Sequence, residues 1–148
     1  MEIWIRNDLP DKGLDEELLR RRTEKLLSAL DCEHAELSLW LCSDATIAGL
    51  HQEYLGLEGP TNVLSFAQHD GEFGGVEPDL LGDVAVSLDT ALRDAAVVGH
   101  GLDEEVAFLV VHGVLHLLGF DHEGEQADRA AEMEVKEDTL FRALLDET

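Results

Sequence analysis

The sequence feature that most constrains the fold is a run of three histidines within the eleven residues 112–122, at the end of an apolar segment. His112 and His116 are four residues apart, so on an α-helix they share one face, about one turn apart. Gly119 follows them, and glycine readily takes the left-handed conformation that ends a helix. The chain can then turn back and bring His122 beside the other two imidazoles.

Three imidazoles that converge from two directions match the ligand set of a zinc ion with one open coordination position. A single histidine on an apolar helix is more often a packed core residue. Three adjacent histidines without a metal, however, are costly to bury among apolar side chains. We therefore predict one zinc ion per chain, held by His112, His116 and His122 and acting as a Lewis acid.

The spacing H-x3-H-x2-G-x2-H also occurs in the metzincin proteases. In those enzymes a glutamate directly follows the first histidine and acts as the general base. This chain has Gly113 at that position. The sequence thus contains the metal-binding pattern without the peptidase base, and peptide hydrolysis is disfavoured.

Hydrophobic periodicity and helix breakers predict a mixture of strands and helices. We expect Asp15 and Ser43 to be helix N-caps and a loop of about a dozen residues to follow the third strand. The chain is interpreted as one α+β domain over residues 1–148, a small mixed β-sheet covered by helices, with the zinc-binding helix in the C-terminal half. Strands are predicted over 2–5, 35–42, 63–66 and 81–87, and helices over 15–30, 43–55, 88–98, 103–118 and 123–145.

The composition of the 148 residues limits the choice of partners and compartment. With 33 acidic and 10 basic side chains the formal net charge is −23, and residues 26–92 contain no lysine or arginine. A general electrostatic attraction for nucleic acid is therefore not visible, and the charge indicates either a solvated acidic surface or adaptation to a salty cytoplasm. No apolar run approaches the ~18 residues that cross a bilayer, and no signal-peptide core is present. We expect a soluble, cytoplasmic protein with Cys32 and Cys42 reduced.

Three blocks of sequence resemble the YbeY family of bacterial endoribonucleases and rRNA-maturation factors. They are PTNVLSF at 60–66, LGDVAVS at 81–87 and HGVLHLLGFDH at 112–122, and their order and spacing agree across nearly the whole chain. The resemblance implies an α+β fold and a zinc ion on the three histidines. It also implies hydrolysis of single-stranded RNA, work on the 3′ end of 16S rRNA, and a part in ribosome quality control.

Two positions depart from the pattern of that family. Its members usually carry an arginine soon after a tyrosine, just before the Pro-Thr-Asn block, whereas here Tyr54 is followed by Leu55, Gly56, Leu57 and Glu58. Ala67 also stands where proline is usual. An arginine is the natural clamp for a scissile phosphate. We therefore expect slow cleavage of RNA, or cleavage that depends on a cation from a partner.

Three carboxylates are candidates for the catalytic chemistry. Asp83 is a candidate to orient a zinc-binding imidazole, although it can equally bond a backbone turn. Asp121 and Glu123 flank His122 and are candidate bases, although an acidic surface is the ordinary explanation for any carboxylate in this chain.

Two other functions stay open at the level of sequence. The first is a non-catalytic, zinc-containing ribosome-assembly factor, in which the basic cluster of Arg20, Arg21, Arg22 and Lys25 docks on rRNA or a ribosomal protein. The second is a metallohydrolase that acts on another substrate.

Overall fold

A computed structural model describes residues 1–67, 80–119 and 127–146 of the chain. The strands in these ranges are β1 (Glu2–Asn7), β2 (Glu36–Cys42), β3 (Val63–Ala67) and β4 (Leu80–Ser87). The helices are α1 (Glu16–Ala29), α2 (Asp44–Leu55), α3 (Leu88–Val98), α4 (Leu102–Leu117) and α5 (Ala127–Asp146), with a short 3-10 helix at Pro10–Lys12.

The predicted strands and helices are confirmed, and most of their ends shift by only one or two residues. Asp15 caps α1 by accepting a hydrogen bond from the Leu18 amide at 3.1 Å, and Ser43 caps α2 by accepting one from the Thr46 amide at 3.2 Å. The sequence reasoning missed the short 3-10 helix. The start of the last predicted helix, residues 123–126, lies outside the described residues, as does most of the predicted loop after β3.

Within the described residues, four strands form one mixed sheet in the order β1-β2-β4-β3. The pairs β1/β2 and β2/β4 are parallel, while β3 runs antiparallel to β4 and forms one edge. Helix α1 connects β1 to β2, because neighbouring parallel strands must be joined by a crossover connection. The expected α+β fold with a small mixed sheet is therefore confirmed.

The side chains of β2 point alternately to the two faces of the sheet, and one face is buried more completely than the other. Leu37, Leu39 and Leu41 are buried in the main core together with residues of α1 and α4. The opposite face is only partly covered, where Ile47 of α2 packs on Leu64 and Ala85. In the described part of the chain, no helix is long and apolar enough to cross a membrane.

The first turns of α2 and α3 are tied together at Asp44. Its carboxylate accepts hydrogen bonds from Ser87 Oγ and Thr90 Oγ1, each at 2.6 Å, and from the Arg93 guanidinium at 2.8 Å. Partial burial raises the pKa of Asp44, but the three hydrogen bonds together outweigh it and lower the pKa to about 2. This network fixes the start of α2, and so helps to position the far end of that helix.

Both cysteines are free thiols, as expected from the sequence. Cys42 is fully buried, and this burial is the main reason why its pKa rises to about 11. Its thiol is therefore protonated and unreactive at neutral pH.

Helix α4 lies unusually close to the sheet at Gly113. A Cβ atom on Gly113 would lie 2.7 Å from Val84 Cγ1, closer than packed atoms allow, and 3.1 Å from Ser65 Oγ, which is a tight contact. Ser65 Oγ also donates a hydrogen bond to the Gly113 carbonyl at 2.9 Å. The position after the first histidine therefore faces the sheet and has no room for a side chain, which explains why a metzincin-like glutamate is absent.

The close packing at Gly113 predicts that Gly113→Ala destabilises the protein, although alanine is the better helix former. Val84 is completely buried, so the added methyl forces a shift in the core that costs about 1–3 kcal/mol. Thermal or denaturant unfolding measures this loss. The matched control is Gly49→Ala within α2, where a Cβ meets nothing within 4 Å and stability should rise slightly. Equal effects of the two substitutions would contradict the packing argument.

Candidate metal centre and its cavity

His112 and His116 lie side by side in the last turns of α4. Their Nε2 atoms are 3.1 Å apart, and the ring centroids are 4.6 Å apart with the planes inclined at 61°. The structure thus brings together the two histidines that the helical spacing placed on one face. Both Nε2 atoms lie on the same side of the helix, within hydrogen-bond distance of each other.

Helix α4 ends just before Gly119, as predicted from the sequence. Leu118 is the C-cap, and Gly119 follows in the left-handed conformation with φ +96°. The third predicted ligand, His122, and the candidate bases Asp121 and Glu123 lie outside the described residues. Among the residues that the structure describes, no group of three histidine, cysteine or acidic side chains is placed to hold a metal ion.

Glu137 of α5 is a site residue that the sequence reasoning missed. Its carboxylate is almost entirely buried, with 7% of the residue exposed, and Oε2 lies 2.8 Å from His112 Nδ1. A signal was present in the sequence, because Met133, Glu137 and Leu144 share the inward face of α5. An acidic side chain in an otherwise apolar stripe indicates a buried partner.

The contact with Glu137 determines which nitrogen of His112 carries the hydrogen. An ionised carboxylate only accepts hydrogen bonds, so Nδ1 is the protonated nitrogen that donates to Glu137. The Nε2 atom is then left with its lone pair, directed toward His116. This is the tautomer in which a histidine binds a metal through Nε2, and a carboxylate behind the imidazole is the common support of such ligands.

The pair of imidazoles fits a divalent metal ion. Two nitrogens bound at about 2.0–2.1 Å in tetrahedral geometry are about 3.3 Å apart, close to the 3.1 Å between the two Nε2 atoms. Imidazole nitrogen suits zinc, and also copper, iron and nickel. The spacing of the two imidazoles, with Glu137 behind one of them, is therefore compatible with two ligands of a metal ion.

The two histidines line an open cavity of about 360 Å³ between the end of α2, strand β3 and helix α4. Its volume lies within the range of small-ligand sites. Leu55, one of the residues after Tyr54 where an arginine is expected from the resemblance, forms part of the wall and is 58% exposed. The described residues of the lining include no lysine or arginine, and the side chains are Leu55, Val63, Leu64, Ser65, Ala67, His112, His116 and Leu117.

The pleat of β4 decides on which face of the sheet Asp83, the predicted support of a metal-binding imidazole, lies. Val84 points toward Gly113 of α4, so its neighbour Asp83 points to the opposite face of the sheet. There it lines cavities together with Trp40, on the side away from His112 and His116. Asp83 therefore lies away from His112 and His116, and a role toward His122, which lies outside the described residues, stays a prediction.

Comparison with known proteins agrees with this architecture. The sequence model of the family described as Endoribonuclease YbeY matches residues 5–145. The chain is 44% identical over 141 residues to the Endoribonuclease YbeY of Syntrophus aciditrophicus, with 95% of this chain and 88% of that protein covered. It is 48% identical over 132 residues to the protein of the same name from Pelotomaculum thermopropionicum, with 85% and 87% covered.

A solved structure shows the same fold. The solution structure of a Thermotoga maritima protein aligns with a TM-score of 0.68 and 25% sequence identity, covering 98% of this chain and 90% of that one. The family match and the identities to curated relatives span almost all of the residues that form the sheet, the paired histidines and the cavity. On this evidence the chain belongs to the YbeY family.

Proposed function

We propose that this protein is a zinc-dependent endoribonuclease that cleaves single-stranded RNA in the cytoplasm. In this proposal it matures the 3′ end of 16S rRNA and contributes to rRNA processing and ribosome quality control. The observation that carries the proposal is the convergence of two Nε2 atoms, 3.1 Å apart, at an open cavity in a member of this family. The relatives compared above are named endoribonucleases.

Each residue at the cavity has a distinct role in this proposal. His112 and His116 would hold the metal, with His122 as the third ligand, and Glu137 keeps His112 in the metal-binding tautomer. A zinc ion bound there would supply a Lewis acid for a phosphoryl oxygen. Asp121 and Glu123, next to His122 in the sequence, remain the proposed bases.

The assembly-factor alternative depends on the basic cluster of α1, and the structure gives most of that cluster another role. Arg20 donates to the Ile3 carbonyl at 2.6 Å, Arg22 to the Asp103 carbonyl at 3.3 Å, and Lys25 to the Ala143 carbonyl at 3.3 Å. Arg22 is also only 7% exposed. These cations link α1 to neighbouring elements of the same chain, which favours the enzyme over a docking surface for rRNA.

The decisive experiment incubates the purified protein with single-stranded RNA, with and without a metal chelator. Cleavage should depend on the metal and disappear in His116→Ala, because that substitution removes one of the two converging nitrogens. The matched control is His34→Ala, an exposed histidine that does not line the cavity, which should cleave normally. Cleavage that resists the chelator would overturn zinc dependence. Ribosome defects without any cleavage would favour the assembly factor.

The buried contact of Glu137 predicts weaker zinc binding in Glu137→Gln. An amide is a poorer acceptor for the His112 Nδ1 hydrogen, and loss of such a supporting carboxylate typically costs about 10–100-fold in metal affinity. Competition with a chromogenic chelator measures this affinity without any assay of cleavage. The control is Glu134→Gln, which changes an exposed glutamate on the same helix. Unchanged affinity in Glu137→Gln would show that the contact does not support the metal.

The position of Leu55 predicts that Leu55→Arg accelerates cleavage. A well-placed donor at a developing phosphoryl charge is commonly worth about 2.7–4 kcal/mol, so a gain of about tenfold is expected even from imperfect placement. The initial rate of cleavage of a labelled RNA measures the effect. Leu57→Arg is the second variant, because Leu57 also follows Tyr54, although it is exposed and does not line the cavity. No gain in Leu55→Arg, with zinc occupancy and melting temperature unchanged, would contradict this role for the position.

A further inference from the structure

Strand β3 is an edge of the sheet, and it borders the cavity lined by His112 and His116, which we call the histidine cavity. In the described sheet β3 pairs with β4 alone, so no strand lies along its outer side. The residues of β3 that line the cavity include Val63, Ser65 and Ala67. The backbone groups that this strand directs outward are therefore part of the surface that a ligand in the cavity meets.

The hydrogen bonds between β3 and β4 determine which backbone groups of β3 point outward. In an antiparallel pair, residues that exchange hydrogen bonds with the opposite strand alternate with residues whose N–H and C=O point away from it. The Ser87 amide donates to the Asn62 carbonyl at 2.9 Å, and the register of the two strands places these residues opposite each other. Counting from this bonded pair, the outward positions are Val63, Ser65 and Ala67, the same residues that line the cavity.

The described lining of the histidine cavity offers few other donors to an anion. Its side chains include no lysine or arginine, and most of them are apolar. The Ser65 hydroxyl already donates to the Gly113 carbonyl at 2.9 Å. Apart from the two imidazoles, the donors that the described lining presents to a ligand are therefore the backbone N–H groups of β3.

The charge of the chain makes such local donors important. The formal net charge is −23, and residues 26–92 contain no lysine or arginine. A phosphate group gains nothing from the general field of an acidic protein, so groups in direct contact must hold it. Backbone N–H groups suit this task, because a hydrogen bond to an ionised acceptor is about twice as strong as one between neutral groups.

Ala67 is the outward position at which this donor can be removed without disturbing the sheet. Because its N–H points away from β4, proline, which has no N–H, fits the same place on an edge strand. The family resemblance leads to proline at this position, whereas this chain has alanine and keeps the donor. Leu55, where the resemblance leads to an arginine, lines the same cavity. The cavity thus lacks a cation at one wall and has an additional neutral donor at another.

We propose that the outward N–H groups of Ser65 and Ala67 donate hydrogen bonds to phosphate oxygens of the substrate at the histidine cavity, in place of a side-chain cation. The proposal rests on the proposed function, because it assigns a binding role to groups of the same site. Both donors belong to a strand that is paired with β4 along its length, so their positions are fixed before a ligand binds. They add no charge to the site, and they select a phosphate only through direct contact.

The first test compares two short, labelled oligoribonucleotides by fluorescence anisotropy, one with phosphate linkages and one with uncharged methylphosphonate linkages. It uses the unchanged full chain with a chelator present, so that neither cleavage nor a bound metal ion contributes. An acidic protein without local donors should bind the uncharged form at least as tightly, because that form is not repelled. The proposal gives the opposite result, with the phosphate form bound about tenfold more tightly, the effect of one hydrogen bond to a charged group.

The second test removes one donor with Ala67→Pro. This variant should lose about tenfold in affinity for the phosphate form and keep its affinity for the methylphosphonate form. The matched control is Ala67→Val, because valine is close to proline in size, suits a strand and retains the N–H. It should bind both oligonucleotides like the unchanged protein. Melting curves should show no loss of stability in Ala67→Pro, since the hydrogen bonds to β4 do not involve this N–H.

The comparison of linkages keeps the proposal testable even if Ala67→Pro is unstable, because it needs no substitution. Equal or tighter binding of the methylphosphonate form by the unchanged protein would overturn the proposal. Equal losses in Ala67→Pro and Ala67→Val would also overturn it, since only one of these variants lacks the donor. A loss for both oligonucleotides in Ala67→Pro would indicate a changed cavity shape and would count against the proposal in the same way.

The outcomes for this proposal and for the proposed function are distinguishable. A preference for phosphate linkages that Ala67→Pro removes, in a protein that cleaves no RNA when loaded with zinc, would support the donors and overturn the proposed function. Metal-dependent cleavage of RNA, with binding that Ala67→Pro leaves unchanged, would support the proposed function and overturn the role of the donors.

Discussion

The close contact between α4 and the sheet at Gly113 is the constraint on which the rest of the structure depends. Because no side chain intervenes, the helix lies directly on Val84, and Ser65 bonds the helix backbone from the edge strand. This contact fixes the height and rotation of α4. His112 and His116 consequently emerge beside β3, at the open cavity rather than in the core.

Packing on the outer side of α4 completes the arrangement of the histidines. Helix α5 covers α4 and brings the Glu137 carboxylate to the back of His112. A buried carboxylate is tolerated there because it has a hydrogen-bond donor, and it fixes the imidazole by the same contact. One hydrogen bond therefore links α5 directly to an imidazole of the site.

The two faces of the sheet divide the polar groups of the protein between two surfaces. The histidines open toward the cavity beside α4, whereas Asp83 and the aromatic residues lie on the face that α2 covers only in part. Three cations of α1, Arg20, Arg22 and Lys25, bond to carbonyls of the same chain, and Arg93 is held by Asp44.

The sequence by itself determined the order of the strands and helices, the caps at Asp15 and Ser43, and the pairing of His112 with His116. These features depend on residues close together in the chain, where periodicity and capping act directly. Only the tertiary structure decided that Glu137 meets His112 from 25 residues away, that Leu55 lines the cavity, and that Asp83 faces the other side of the sheet. Such contacts depend on how α4 and α5 pack and on strand register, which local patterns do not encode.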